Sequence, residues 1–181
     1  MLRNITLLIL LTGLAFSGCN TGIKNSAEDN AVKIAVLTFK TDAAKYVDSA
    51  VILEGTVFHT CKESGKRMFL ADGNDSILVE VTTGPDIPKF DEKLVGSRVK
   101  VHGNVRELRI DEKYLADWEN EIKNPTGSEA TGVHTGARGH QDQAADEKLG
   151  QINAYRDKIK ESGTDHLSFY SVEATSFEEI K

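Results

Sequence analysis

Cysteine, proline, aromatic residues and basic charge are all scarce in this chain of 181 residues. The two cysteines stand at positions 19 and 61, far too few for a disulfide-stapled scaffold. Lys and Arg number 22 against 28 Asp and Glu, a formal net charge of −6. An acidic surface disfavours a general polyanion binder, because phosphate contacts need a basic face. Three prolines, 7% aromatics and no internal period leave neither extreme disorder nor a repeat architecture indicated. Several catalytic signatures are also missing: a nucleotide-binding glycine motif, a Ser–His–Asp order with a nucleophile elbow, and paired catalytic carboxylates. The expectation is therefore a non-enzymatic protein.

Long apolar runs are confined to the start, MLRNITLLILLTGLAFSGC. Arg3 precedes an apolar stretch of about 15 residues, too short to cross a hydrocarbon core of roughly 30 Å. It fits a cleaved secretory signal. The Gly18–Cys19 junction resembles the lipobox of bacterial lipoproteins, with Phe16 where Leu is usual. The resemblance implies removal of residues 1–18 and acylation of Cys19, with palmitate among the acyl chains. It also implies anchoring to a bacterial membrane, the outer membrane facing the periplasm being the expected address. Residues 19–44 are then the lipidated cysteine and tether, and residues 45–181 one domain. Residues 20–30 are polar, and residues 31–48 carry scattered apolar residues compatible with a short strand or helix packing on the domain. A lipidated Cys19 leaves Cys61 as a single thiol.

From Ala50 the pattern is period-two alternation. Val51, Leu53, Gly55, Val57, His59 and Cys61 share one parity, with Gly55 as the expected bend or bulge. Further strands are predicted over Arg67–Ala71, residues 76–82 and residues 98–110, the last with Gly103 at its centre. Asp111 is placed to cap a helix over Glu112–Lys123. Tyr114, Leu115, Trp118 and Ile122 sit at helical spacing within it. A Gly- and Thr-rich stretch over residues 124–140 reads as loop. A second helix follows over residues 142–161, and a closing strand over residues 167–175. The fold expected is mainly β with an α insertion: a five-stranded Greek-key barrel carrying a helical pair at 111–163 between its fourth and fifth strands.

Residues EGTVFHTCKESGKRMFLADGNDSILVEV followed by GSRVKVHGNVRELRID resemble the oligonucleotide/oligosaccharide-binding (OB) fold. More narrowly, they are similar to a family of small exported bacterial lipoproteins in which an H-x-C-K-x-x-G-K-[KR]-x-F segment links the first two strands. Tracts like YLADWENEIK and SFYSVEA recur there at matching places. The resemblance spans residues 47–174, and implies a fold and an export route.

Intrinsic chemistry concentrates at His59 and Cys61, which could share a Zn or Cu ion or form a thiolate–imidazolium pair if they share a strand face. A plainer reading has them line the barrel edge and pack against the turn. Lys62, Lys66 and Arg67 form a basic cluster beside Gly65, where a phosphate, an acidic saccharide or a lipid headgroup could sit; a solvated charged turn is the alternative. Phe58 and Phe69 read as single residues and not as a stacking platform. His134, Arg138 and His140 fall in the Gly-rich loop and read as loop surface. Two functions are carried forward. One is a membrane-anchored module that binds a small ligand, glycan or protein partner in the periplasm, nucleic acid being disfavoured. The other is a metal- or redox-handling protein using His59 and Cys61.

Overall fold

The computed structural model describes residues 30–73, 77–124 and 145–181. In chain order the elements are β1 (Val32–Ala35), α1 (Val36–Asp42), a 3-10 turn (Ala43–Tyr46), β2 (Ala50–Thr60), β3 (Arg67–Ala71) and β4 (Leu78–Thr83). A second 3-10 turn (Glu92–Leu94) precedes β5 (Arg98–Asp111), α2 (Glu112–Lys123), α3 (Ala145–Ser162) and β6 (His166–Glu179). The sheet runs β1-β2-β3-β4-β6-β5 and closes through a further β2–β5 pairing. Five strands therefore form a barrel, β2-β3-β4-β6-β5, and β1 lies parallel along β2 through Val32–Val51 to Ala35–Glu54. Only β4 and β6 pair parallel within the barrel; the other barrel ladders are antiparallel. This is an OB-like topology, mainly β, with the helical pair inserted before the closing strand.

Alternation builds the interior. Val51, Leu53 and Val57 of β2 meet Met68 and Leu70 of β3, Val79 and Val81 of β4, Val99, Val101 and Val105 of β5, and Val172 and Ala174 of β6. Gly103 lets β5 and β6 approach: a Cβ there would lie 2.4 Å from the Glu173 carbonyl oxygen. The β5–β6 register shifts between His102 and Gly103, so the bend expected at this glycine is present.

Two expectations need correction. First, Ile34, Val36, Phe39 and Ala43 are buried in the same core. Residues 32–43, placed in the expected 19–44 tether, therefore belong to the domain as β1 and α1. Second, the bulge in β2 is not at Gly55, whose pairing with Val99 is regular, but between Val57 and His59. One extra residue reverses the parity of everything after it. Thr60 thus turns inward, 1% exposed, while Phe58 and His59 both face out.

Parity changes on β5 as well. Val101 and Val105 face the barrel interior, whereas Leu108 and Ile110 belong to a second apolar cluster. Beyond Val105 the β5–β6 pair leaves the barrel as a two-stranded ribbon, paired from Glu107–Tyr170 to Asp111–His166. Its apolar face is covered by α2 and α3. Ile110, Leu115, Ile152 and Tyr155 are buried there, with Trp118, Leu167 and Phe169 packed around them. Asp111 caps α2 as expected, its carboxylate accepting from the Tyr114 N–H at 2.9 Å. Arg156 of α3 donates to the Glu112 carboxylate and pairs with Glu119, tying the helices together. Tyr114, Trp118, Tyr155 and Phe169 form a chain of ring contacts at 6.1–6.5 Å between centroids. No helix among the described residues is long and apolar enough to cross a membrane.

Candidate functional site

The turn joining β2 to β3 is held from several sides. The Cys61 N–H donates to the Arg67 carbonyl at 2.8 Å, and the Gly65 N–H returns to the Cys61 carbonyl at 2.7 Å. The Phe90 N–H donates to the Gly65 carbonyl at 2.7 Å, and Lys66 Nζ donates to the Pro88 carbonyl at 2.8 Å. Gly65 has φ 62°, and a Cβ there would lie 2.9 Å from Lys89 Cβ. Only glycine meets both the backbone conformation and the close approach. The turn is thereby clamped onto the segment that follows β4.

Outside the barrel, the β2 bulge gathers an aromatic surface. His59 stacks on Phe69 of β3, ring centroids 6.1 Å apart at 28°. Phe58, outward by the regular alternation of β2, is 46% exposed beside it. Phe69 faces Glu80 across the β3–β4 ladder, and Ala71 faces Leu78, another exposed apolar side chain. Arg67 and Glu80 approach to 3.7 Å on this face. Burial pushes the Glu80 carboxyl above the ordinary carboxylate range, against the opposing pull of Arg67. Elsewhere on the sheet, β1, β2, β5, β6 and the segment before β2 carry matched ion pairs: Lys33–Glu54, Lys100–Glu178, and Arg106 with both Asp48 and Glu173.

Of the residues singled out from the sequence, His59 and Arg67 lie on this outer face and Cys61 at its margin. Phe58 and Phe69, read from sequence as isolated rings, share the face with His59. The basic cluster does not converge: Lys62 is exposed on the turn, Lys66 is committed to the Pro88 carbonyl, and Arg67 faces Glu80. Nor do His59 and Cys61 continue the inward parity of β2. The bulge turns the imidazole out onto Phe69, and Cys61 lies past the strand end, half-buried, with Ser64 Oγ donating to its Sγ at 3.4 Å. The Ser64 hydroxyl and backbone N–H, with Arg67 behind them, hold the Cys61 thiol below its usual pKa. Among the described residues no group of three or more His, Cys, Asp or Glu could hold a metal ion. Cys19, His134, Arg138 and His140 lie outside the described residues.

Sequence reasoning missed Glu80 and the aromatic gathering. Phe58 keeps the outward side that strict alternation gives it, so nothing in the local residue pattern marks the bulge that turns His59 out.

No protein-family model and no curated protein matches the chain. Among solved structures, a protein described as an aspartyl-tRNA synthetase from Leishmania major Friedlin is similar at 16% identity and a TM-score of 0.37. The match covers 88% of this chain and 22% of that one, so the chain spans less than a quarter of that protein's length. The barrel assignment rests on the strand pairing itself.

Proposed function

We propose that the chain is an exported lipoprotein, acylated at Cys19 and held on the periplasmic side of a bacterial outer membrane. Its barrel acts there as a non-enzymatic binding module for a small ligand, glycan or protein partner. The observation that carries the binding reading is the outer face of β2, β3 and β4. Phe58, His59 and Phe69 supply ring surface on a rigid sheet, and Arg67 and Glu80 add a donor and an acceptor beside it. Few polar groups set among aromatic surface are what orient a ligand on a preformed site. In OB-like barrels the second and third barrel strands and the first loop are the usual binding surface. Metabolic labelling with a radioactive palmitate, compared with Cys19→Ser, tests the anchor; equal labelling of both overturns it. For the module, wild type and Phe69→Ala are screened against one array of glycans and peptides. Binders retained by wild type and weakened at least tenfold in the variant support the reading, and an array with no such binder overturns it.

A second reading, thiol chemistry at Cys61 with His59 nearby, is favoured by the lowered thiol pKa. The rate of iodoacetamide alkylation against pH should have its midpoint below that of a free cysteine, and Ser64→Ala should move it upward. Identical profiles for the two proteins remove this reading.

A further inference from the structure

β6 has one edge that is paired and one that is only partly so. Along β5 it pairs continuously from Asp111–His166 to beyond Gly103–Ala174. Along β4 it pairs only over Val81–Val172, Thr82–Glu173 and Thr83–Ala174. The Gly84 N–H donates to the Ala174 carbonyl at 2.9 Å, which fixes the side to which Ala174 directs its backbone groups. Backbone groups of alternate strand residues point to the same edge. Val172, Tyr170, Ser168 and His166 therefore share the β4-side edge, and β4 reaches only the first of them. Thr164 Oγ1 donates to the His166 carbonyl at 2.7 Å, in keeping with this orientation. Among the described residues no other strand borders the edge from His166 to Tyr170.

Exposed edges are normally blunted by charge, proline or a bulge. The opposite edge of the ribbon, on β5, carries Arg106, Glu107, Arg109 and Asp111. The β6 edge carries Leu167, Ser168, Phe169, Tyr170 and Ser171, without charge, proline or bulge. Such a sequence on an open edge is suited to pairing with another strand.

We propose that this edge pairs with the same edge of a second copy of the chain, antiparallel about a twofold axis at Ser168. The register follows from the backbone. Only His166, Ser168 and Tyr170 present their amide groups, and of the twofold centres this segment allows, bonded or non-bonded, Ser168 alone employs all three. Ser168 then exchanges hydrogen bonds with Ser168 of the second copy, and His166 does so with Tyr170 of the second copy, its carbonyl accepting through the lone pair that Thr164 Oγ1 leaves. Both faces agree with this register. Leu167 and Phe169, which pack on α2 and α3, come opposite Phe169 and Leu167 of the second copy at the closer, non-bonded positions. The apolar strip covered by the helices thus runs on across the axis. On the other face two serines meet at the axis, each hydroxyl donating to the Glu107 carboxylate of its own β5, and His166 meets a tyrosine, so no charged side chain of β6 opposes a like charge. An isologous contact needs this kind of self-complementarity.

The test is sedimentation equilibrium on residues 20–181, which contain every described element. Wild type should show a concentration-dependent monomer–dimer equilibrium. Ser168→Lys and Ser168→Glu each oppose like charges at the axis and should each raise the dimer Kd at least tenfold. Mixing the two variants should restore association as a mixed dimer. Circular dichroism checks that each variant is folded. Independently of any variant, the Ser168 and Tyr170 amides of wild type should exchange more slowly as concentration rises. The proposal is overturned by a monomer at every concentration, by dimers that both charged variants leave intact, or by Ser168 and Tyr170 amides indifferent to association. Capture of an unrelated extended peptide on this edge by a monomeric chain is a further outcome that overturns it.

Discussion

Replacing Ile110 with alanine should loosen the helical pair and leave the barrel standing. Ile110 is fully buried, on the face of the ribbon covered by α2 and α3, and its neighbours Leu115, Ile152 and Tyr155 belong to a cluster separate from the barrel core. The change deletes three carbons, a transfer loss of about 2.4 kcal/mol at about 0.8 kcal/mol per methylene. A residual cavity raises such losses toward about 5 kcal/mol where the surroundings cannot close. Two helices resting on a two-stranded ribbon can partly close, so about 3 kcal/mol is expected, about a hundredfold in the opening equilibrium. Native-state hydrogen exchange separates local from global loss. In Ile110→Ala, amides of α2 and α3 should exchange about a hundredfold faster, with those of Met68 and Leu70 in β3 nearly unchanged. Leu53→Ala removes as many carbons from the barrel core and should lower protection throughout, because the helical pair has no closed barrel to extend once β2 is lost. Uniform loss of protection in Ile110→Ala would refute the separation of the two clusters.

Two titrations carry further predictions. Burial holds the Glu80 carboxyl above the ordinary range, so its stabilising contribution is present in acid and lost as pH rises through its folded value. Glu80→Gln should therefore stabilise the fold slightly at pH 7, by under about 1 kcal/mol, and leave it unchanged well below pH 4. Denaturant melts at the two pH values measure this, and a loss at pH 7 would show that the Arg67 pair outweighs the burial. Glu54 has the opposite sign: hydrogen-bonded by Lys33, its pKa is lowered, and what it contributes is lost as pH falls. Tyr114, half-buried in the helical cluster beside Tyr155, has its phenol pushed up to about 12. Stability from this group is lost as pH rises from about 10, the unfolded value, through about 12. Absorbance at alkaline pH should show one phenol titrating late and together with loss of helical ellipticity, and Tyr114→Phe should delay that loss. A helical signal lost at the same pH in both proteins contradicts the assignment.

Much of the barrel could be read from residue order alone, because alternation and capping are local. Val99, Val101 and Val105 announce a half-buried strand, and Asp111 ahead of Tyr114 and Leu115 announces a helix start. Three features were set by contacts distant in sequence. Parallel pairing of β4 with β6 joins Val81 to Val172, and nothing near either residue specifies it. Residues 32–46 have too few apolar positions to declare a period, yet Val36 and Phe39 fill the barrel core. Their burial depends on an opening that only the closed sheet creates. The third is the outer face, where one extra residue at Phe58 decides which side His59 presents. Parity read through that point put the imidazole inside. The change of parity between Val105 and Leu108, in contrast, stands in the sequence and marks where β5 leaves the barrel.

Closure by β6 also sets when the molecule can fold. The strand that locks both β4 and β5 is the last in chain order, and its partners precede it by a helical pair and more. Until it has emerged from the ribosome, Val81 and Val105 have no Val172 to pack on and the barrel stays open, since long-range closure must precede its reward. Before β6 is added, hairpins and helices can form locally but the barrel cannot close. Under the export proposed above, that order would let closure complete on the far side of a translocation channel.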